Sequence, residues 1–362
     1  MNILFWSNLF YPYVGGVETV GLQLVQWLSQ RNHNLLVLTS HDNLELPDHE
    51  QVAGVPVERL PMLAGLRGHV PSLLRSRAQV QRIKAEFRPD LIHAFDLGAS
   101  LAYHLQTAAC APLLLTLQQR LFTHSPDSLS ARMLSQAAWV TAVSRASLQE
   151  ARELVPEIVT RSSAIPNFAV APPEPIPPLP WPPRMLCLGR MVPQKGFDLA
   201  LQAMPAILQR FPEARLLLAG DGAERPALEA LAQQLQLGSA VEFLGWVDPH
   251  DQQALWQQAT LAWLPSRYEG LPVVAVQAAL AGRPLVATDV GGNAEVVQPG
   301  RTGLLCPSEN VEAMAEAICQ LLAHPQRTQL WGLQARQLAL EHFERERCLE
   351  QYLELYQRLT QP

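Results

Sequence analysis

The 362-residue chain has no run of ~20 apolar residues, so nothing in it is expected to span a bilayer. Its start, MNILFWSNLF, lacks a basic n-region and carries only a short apolar run, and it reads as a strand rather than a secretion signal. Cysteine is scarce: Cys110, Cys187, Cys306, Cys319 and Cys348 are odd in number, scattered and free of any CxxC. That usage predicts buried thiols in a reducing, cytoplasmic compartment, not a disulfide framework. There is no DxD and no His/Cys cluster with metal-ligand spacing, so no metal is expected. No GxGxxG opens a strand–turn–helix unit, which argues against a nicotinamide cofactor. A net charge of −6 argues against general nucleic-acid binding. Charged residues make up 17% and hydrophobic residues 48%, the balance of a folded chain. Its length suits two domains with a core each.

Proline is plentiful and concentrated. Residues 172–183, PPEPIPPLPWPP, hold eight prolines in twelve positions and read as a stiff spacer. The spacer divides a domain over 1–171 from one over 184–343. On both sides short apolar runs alternate with helical patterns. Strands are expected at Ile3–Trp6, Leu35–Leu38, Val55–Leu60, Leu91–Ala94, Leu113–Leu117 and Trp139–Val143. After the spacer they are expected at Met185–Leu188, Arg215–Ala219, Val241–Leu244, Leu261–Leu264, Leu285–Ala287 and Leu304–Leu305. Such alternation predicts an α/β fold with two parallel sheets, each covered on both faces. A final helix over 344–362 follows no strand and is expected to pack back on the first domain.

The chemistry concentrates at strand ends. Ser266–Gly292 reads as strand end, loop with Glu269, helix Val273–Ala281 and the next strand, with Pro272 at the first helical position. The amides of Gly270, Leu271, Val273 and Val274 then point out of a helix N-terminus, a ready anion site. Gly189 to Gly196 carries Arg190 and Lys195 on one loop. Arg suits a diphosphate as a fork and Lys as a point charge. Gly15 and Gly16 precede a helix and either cradle a phosphate or make a plain turn. Gly220 and Gly222 allow either a turn or close approach of a ligand, and Gly245 offers backbone for a flat base or simply packs. His93 ends a strand and either faces a cleft or is a hydrogen-bonded core residue. Between Leu66 and Arg88 stand six Lys/Arg against Glu86 alone. Leu73, Val80, Ile83 and Phe87 share one helical face there. That pattern fits either a solvated surface helix or a helix that docks on an anionic membrane.

Taken in order, GGVE, TAVSRAS (Thr141–Ser147), IPN (Ile165–Asn167), GRMVPQKG, AGDG, FLGWV, SRYEGLP and GGNAEVV (Gly291–Val297) resemble the retaining glycosyltransferases of family 4. The resemblance implies the GT-B fold, two Rossmann-like domains, with the nucleotide sugar on the second and the acceptor on the first. It implies transfer of a sugar to an acceptor hydroxyl in glycan, polysaccharide or glycolipid synthesis, with no cofactor and no metal. Partners are then the nucleotide-sugar donor and a glycan or lipid-linked acceptor, without nucleic acid. By position, Arg190 and Lys195 match the diphosphate-binding pair, Gly16 a glycine whose amide reaches the phosphate, and Glu269 the first acid of E-x7-E. The family's second acid is Gln277 here, in the place that binds ribose. Phe95 replaces the second His of the family's HAH, which implies a pocket for a sugar lacking one hydroxyl. Gln118 stands where many members have another His. These departures leave two alternatives: a non-catalytic nucleotide- or glycan-binding relative acting as a partner subunit, or a nucleotide-sugar epimerase.

Overall fold

The computed structural model describes residues 1–41, 44–123 and 125–361, and for Ala99 the backbone alone. The chain forms two compact units, Met1–Pro166 with Leu349–Pro362, and Asn167–Cys348.

The first unit is built on an eight-stranded sheet of order β3-β4-β2-β1-β5-β6-β7-β8. Its strands are β1 Asn2–Trp6, β2 Asn34–Ser40, β3 His49–Val52, β4 Val55–Leu60, β5 Leu91–Ala94, β6 Leu113–Leu117, β7 Trp139–Ala142 and β8 Ser162–Ala164. Every pairing is parallel except β3 with β4. β5 and β6, LIHA and LLLTL, are buried along their whole length, as expected of central parallel strands covered on both faces. The edge strands β3, HEQV, and β8, SSA, were not expected. They are polar and short, so they lack the apolar run that announces a central strand.

The second unit has a six-stranded parallel sheet of order β11-β10-β9-β12-β13-β14. Here β9 is Arg184–Leu188, β10 Arg215–Ala219, β11 Val241–Gly245, β12 Leu261–Leu264, β13 Leu285–Thr288 and β14 Gly303–Cys306. Its core gathers Met185, Leu216, Leu218 and Trp263 with Met204, Ile207 and Ile318 from the covering helices. The helix Pro325–His342, with Trp331 and Ala335 buried, was not foreseen.

Two expectations are corrected. The proline-rich stretch is not a free spacer. Leu179 N donates to Gln329 Oε1 at 2.8 Å, Thr260 Oγ1 to the Pro180 carbonyl at 2.9 Å, Arg283 Nη2 to the Pro177 carbonyl at 3.0 Å and Arg336 Nη2 to the Pro172 carbonyl at 2.9 Å. Prolines leave carbonyls without matching N–H groups, and buried arginines bind those carbonyls here. The segment is part of the second unit. Among the cysteines, Cys187, Cys306, Cys319 and Cys348 are buried thiols, but Cys110 is exposed; none is paired.

The last helix, Arg345–Thr360, crosses from one unit to the other in sequence, and from Leu349 onward it belongs to the first. Tyr352 and Tyr356 lie against His93, each with ring centroids 5.5 Å from it. His93 is fully buried. Its Nδ1 meets the Tyr356 hydroxyl at 2.5 Å and its Nε2 the Thr116 hydroxyl at 2.7 Å. Burial depresses its pKa to about 3, so the ring is neutral when folded. The unfolded chain takes up a proton near pH 6.5 that the folded chain refuses, so this group removes stability as pH falls below 6.5. The expected result in urea denaturation between pH 7 and pH 5 is a loss of up to about 1.4 kcal/mol per pH unit from this residue. His93→Gln should flatten that slope.

Candidate functional site

In the second unit β9 is flanked by β10 on one side and β12 on the other. The winding reverses there, and in open α/β sheets ligands bind at the carboxyl ends of strands at such a point. The loops after β9 and β12 carry Arg190, Lys195 and Glu269, and they touch backbone to backbone. Gly196 has φ 63° and a Cβ there would stand 2.0 Å from the Pro265 carbonyl oxygen. Arg267 N donates to the Gln194 carbonyl at 2.8 Å, and Gln194 Nε2 to the Tyr268 carbonyl at 3.0 Å.

Arg267 staples the two loops. It donates to both Asp198 oxygens, at 2.8 and 2.7 Å, to the Pro193 carbonyl at 2.7 Å and to Glu309 at 2.6 Å. Burial alone would raise the Asp198 carboxyl, but the bonds from Arg267 outweigh it and hold it below its ordinary value. The same bonds push the guanidinium pKa upward. This role was not read from the sequence, since 69 positions separate the partners and nothing local marks the pair.

Lys195 Nζ lies 2.6 Å from Glu269 Oε1, and Ser266 Oγ donates to the same oxygen at 2.7 Å. The side chains are 18% and 6% exposed, so this is a largely desolvated pair and not a solvated loop charge. Arg190 is exposed, and among the described residues its guanidinium has no ion-pair or hydrogen-bond partner. The site therefore presents one occupied cation and one available one. Gly189 directly follows β9, and Gly245 is the last residue of β11. Gly220 N donates to the Gly245 carbonyl at 2.7 Å, and Gly189 N to the Ala219 carbonyl at 3.0 Å. The indole of Trp246, just beyond, is 57% exposed.

The helix after Glu269 runs Val273–Leu280, with Pro272 at its N-cap, one position earlier than expected. Gly270, Leu271, Val273 and Val274 lie at this end, where helical amides lack an internal acceptor. The loop after β13 closes on it: Gly292 N donates to the Gly270 carbonyl at 2.6 Å. Gly291 has φ 52°, and a Cβ there would stand 2.0 Å from the Glu269 carbonyl oxygen, so only glycine fits. Gln277, on the second turn, donates through Nε2 to Gln252 Oε1 at 3.0 Å. Asn167 Nδ2 donates to the Leu271 carbonyl at 2.9 Å, which gives the IPN motif a structural task.

The remaining expected residues belong to the first unit. Gly15 caps, and Gly16 begins, the helix Gly16–Ser29 after β1. His93 has both ring nitrogens occupied in the core, which corrects its assignment to substrate. Phe95 is likewise buried, its ring centroid 5.1 Å from that of Phe5 and 5.3 Å from that of His93, so it does not line a sugar pocket. Gln118, read in the sequence only as standing in the place of a family His, directly follows β6, and Asp96, not read as a candidate, lies just past β5. Asn8 Nδ2 donates to Asp96 Oδ2 at 3.1 Å, and burial pushes the carboxyl up to about 6 despite that bond. Both polar atoms of Gln118 are buried without a partner, a state that costs about 1–3 kcal/mol. Among the described residues, no three His, Cys, Asp or Glu side chains group as a metal site, and no helix is long and apolar enough to cross a membrane.

The Lys195–Glu269 pair yields a stability test. Removing one partner of a buried pair leaves a charge uncompensated and costs roughly 3–5 kcal/mol, whereas replacing both can be neutral. Lys195→Met should therefore lower the urea midpoint clearly. Lys195→Met combined with Glu269→Gln should recover most of the loss.

Comparison with known proteins bears on the same elements. Residues 14–169 match the family described as Glycosyltransferase Family 4, and residues 182–324 match Glycosyl transferases group 1. A glycogen synthase of Mycobacterium tuberculosis is 34% identical over 163 residues, 45% of this chain and 39% of that one. A D-inositol 3-phosphate glycosyltransferase of Corynebacterium urealyticum is 34% identical over 179 residues, 48% of this chain and 42% of that one. The chain thus spans less than half the length of the curated relatives it matches. Among solved structures, sucrose-phosphate synthase from Thermosynechococcus elongatus superposes with TM-score 0.78 at 23% identity, covering 99% of both chains. Anabaena HepE, solved with UDP, gives 0.76 at 23% identity over 99% of this chain and 100% of that one. With matches in both units and this fold, the chain belongs to the group 1, family 4 glycosyltransferases and has the GT-B architecture.

Proposed function

We propose that the chain moves a sugar from a nucleoside-diphosphate donor to an acceptor hydroxyl, with retention and without a metal, in glycan, polysaccharide or glycolipid synthesis. The observation that carries this reading is the charge arrangement at the switch point of the second unit. A desolvated Lys195–Glu269 pair stands beside the exposed Arg190, at strand ends lined by glycine. The diphosphate of the donor would take the Arg190 fork, the Lys195 ammonium and the amides of Gly270, Leu271, Val273 and Val274. Charge grows on the leaving diphosphate in the transition state, so donors already aimed at it lower the barrier without reorganisation. Glu269, held by Ser266 and Lys195, orients the transferred sugar. No covalent nucleophile is assigned. The departing phosphate removes the proton of the acceptor on the same face, which gives retention. Gln277 offers the ribose an amide oxygen while Gln252 holds its NH2. No cofactor is involved, since the nucleotide sugar is itself a substrate. The neighbour solved with UDP supports a nucleotide ligand for this chain.

Removing one preorganised donor to a developing anion costs about 10²–10³ in turnover. Arg190→Ala is therefore expected to lower the rate of nucleoside diphosphate release by about two orders of magnitude. Arg190→Ala with Lys195→Ala should abolish transfer, and wild-type turnover in that double variant would sink the assignment.

We also propose that a lipid-linked acceptor, or the anionic face of a membrane on the cytoplasmic side, meets residues 66–88. The helix Val70–Phe87 packs Val80 into the core and rests Leu73, Ile83 and Phe87 on it. Val70 and Leu74 are about 60% exposed beside Arg75 and Arg77, a combination that suits an anionic interface. Lys84 does not join the basic face. It is buried, bonded to Thr107 Oγ1 at 2.7 Å and to the Ala108 carbonyl at 3.3 Å, and burial lowers its pKa to about 8. In flotation with phosphatidylglycerol vesicles, Arg75→Ser with Arg77→Ser and Leu74→Ser should reduce the bound fraction several-fold. Equal flotation of variant and wild type would reject this contact.

A further inference from the structure

The helix Pro325–His342 of the second unit is apolar on two sides. Trp331, Ala335, Leu338 and Ala339 are buried, as one face of a surface helix should be. The outer face of such a helix is ordinarily charged, and here it is not. Gln326, Leu330, Leu333, Gln337 and Leu340 are all exposed and recur at intervals of four and three, the spacing of a coiled-coil seam. Leu330 is 52% and Leu333 48% exposed. No charge falls on this line, in a chain whose residues are 17% charged.

The proline-rich segment runs beside this helix in the opposite direction and widens the face. Arg336 holds the Pro172 carbonyl, Ile176 stands over Gly282 where that glycine touches Gly332, and Gln329 holds the Leu179 amide. The acid of the segment, Glu174, lies 3.7 Å from Arg336. The exposed indole of Trp181 stands at its far end. Proline φ is already fixed in the unfolded chain, so covering these rings costs little further order. The segment enters β9 at its amino end, whereas Arg190 and Lys195 follow the carboxyl end of that strand.

The charges narrow what covers this face. An anionic membrane calls for lysines and arginines around the apolar residues, and the seam has none. Charges stand instead at the two ends of the helix and differ in sign, Arg327 at one end and Glu341 and Glu344 at the other. A twofold axis turns the helix end for end, so Arg327 of each copy meets Glu341 of the other. The same axis, passing beside Leu333 and Gln334, sets Leu330 of one copy near Gln337 and Leu340 of the other. A parallel pair would put like charges together at both ends. The helix is about 27 Å long and, with the segment packed alongside, the face is roughly 20 Å across. That extent is at the lower end of the roughly 1,200–2,000 Å2 that stable pairs bury in total, which suits association in the micromolar range. We propose that the chain forms a twofold-symmetric dimer, in which this helix and the proline-rich segment pack on the same elements of a second copy.

The test is sedimentation velocity on the full chain from about 1 to about 100 μM, across which the wild type should pass from monomer to dimer. Leu330→Asp with Leu333→Asp, both at exposed positions, should raise the midpoint at least tenfold, while the melting temperature at about 1 μM matches that of the wild type. Glu341→Arg should weaken the dimer severalfold, and adding Arg327→Glu should restore it, a rescue that unspecific apolar adhesion would not give. A cross-link checks the axis. In a Cys110→Ser background, Leu333→Cys should couple to itself under copper phenanthroline, since the two copies of this position lie only about 3 Å apart along the helices. Gln326→Cys, about 24 Å from its counterpart, should not. The proposal is overturned if the chain stays monomeric to about 100 μM, which would leave the face to a different partner, or if the leucine double variant dimerises as the wild type does. Coupling at position 326 but not at 333 would overturn the antiparallel arrangement.

Discussion

A lysine ammonium and a glutamate carboxylate 2.6 Å apart, with little water around either, set the character of the second unit. Taking both charges out of water costs more than their attraction returns unless other bonds complete the geometry. Ser266 supplies one of those bonds. Arg267, clamped on Asp198, supplies the rest indirectly by locking the two loops that carry the pair. Pairs of this kind are poor sources of stability, and their retention at a strand end is explained by what they can do to an anion placed beside them.

Strand order brings that pair together. The loops after β9 and β12 are 74 residues apart in sequence at Lys195 and Glu269, and they meet because β12 pairs directly with β9. The glycines follow from the same constraint. Gly196 and Gly291 sit where one backbone presses on another, at positive φ, so any side chain would force the loops apart. Backbone proximity, rather than ligand contact, is the reason for these two residues, and it is also what gives Glu269 and the helix amides behind it a fixed position.

The first unit repeats the topology with different contents. His93 and Phe95 spend their side chains on the core and on the last helix, through Tyr352 and Tyr356. The neighbouring ends of β5 and β6 are left with Asp96 and Gln118, whose polar atoms the fold does not satisfy. In a strand successive side chains point to opposite faces, and packing decides which of them reaches a cavity. The motif HAF at 93–95 names the segment correctly while its first and last residues face the core. Asp96, just past the strand, is the residue left beside an opening.

By itself the sequence determined the α/β class, the central strands, the helix after Glu269 and the family, because apolar runs, turn residues and ordered motifs are local signals. Arg190, Lys195 and Glu269 were legible for the same reason, each set in a loop with its own pattern. Tertiary structure alone decided which polar side chains are partnered. Arg267 with Asp198, His93 with Tyr356 and the arginines that bind the proline-rich carbonyls join residues 69, 263, 106 and 164 positions apart. Nothing local encodes a hydrogen bond across such distances; it arises when sheet order and helix packing bring the partners within 3 Å and exclude the water that would otherwise satisfy them.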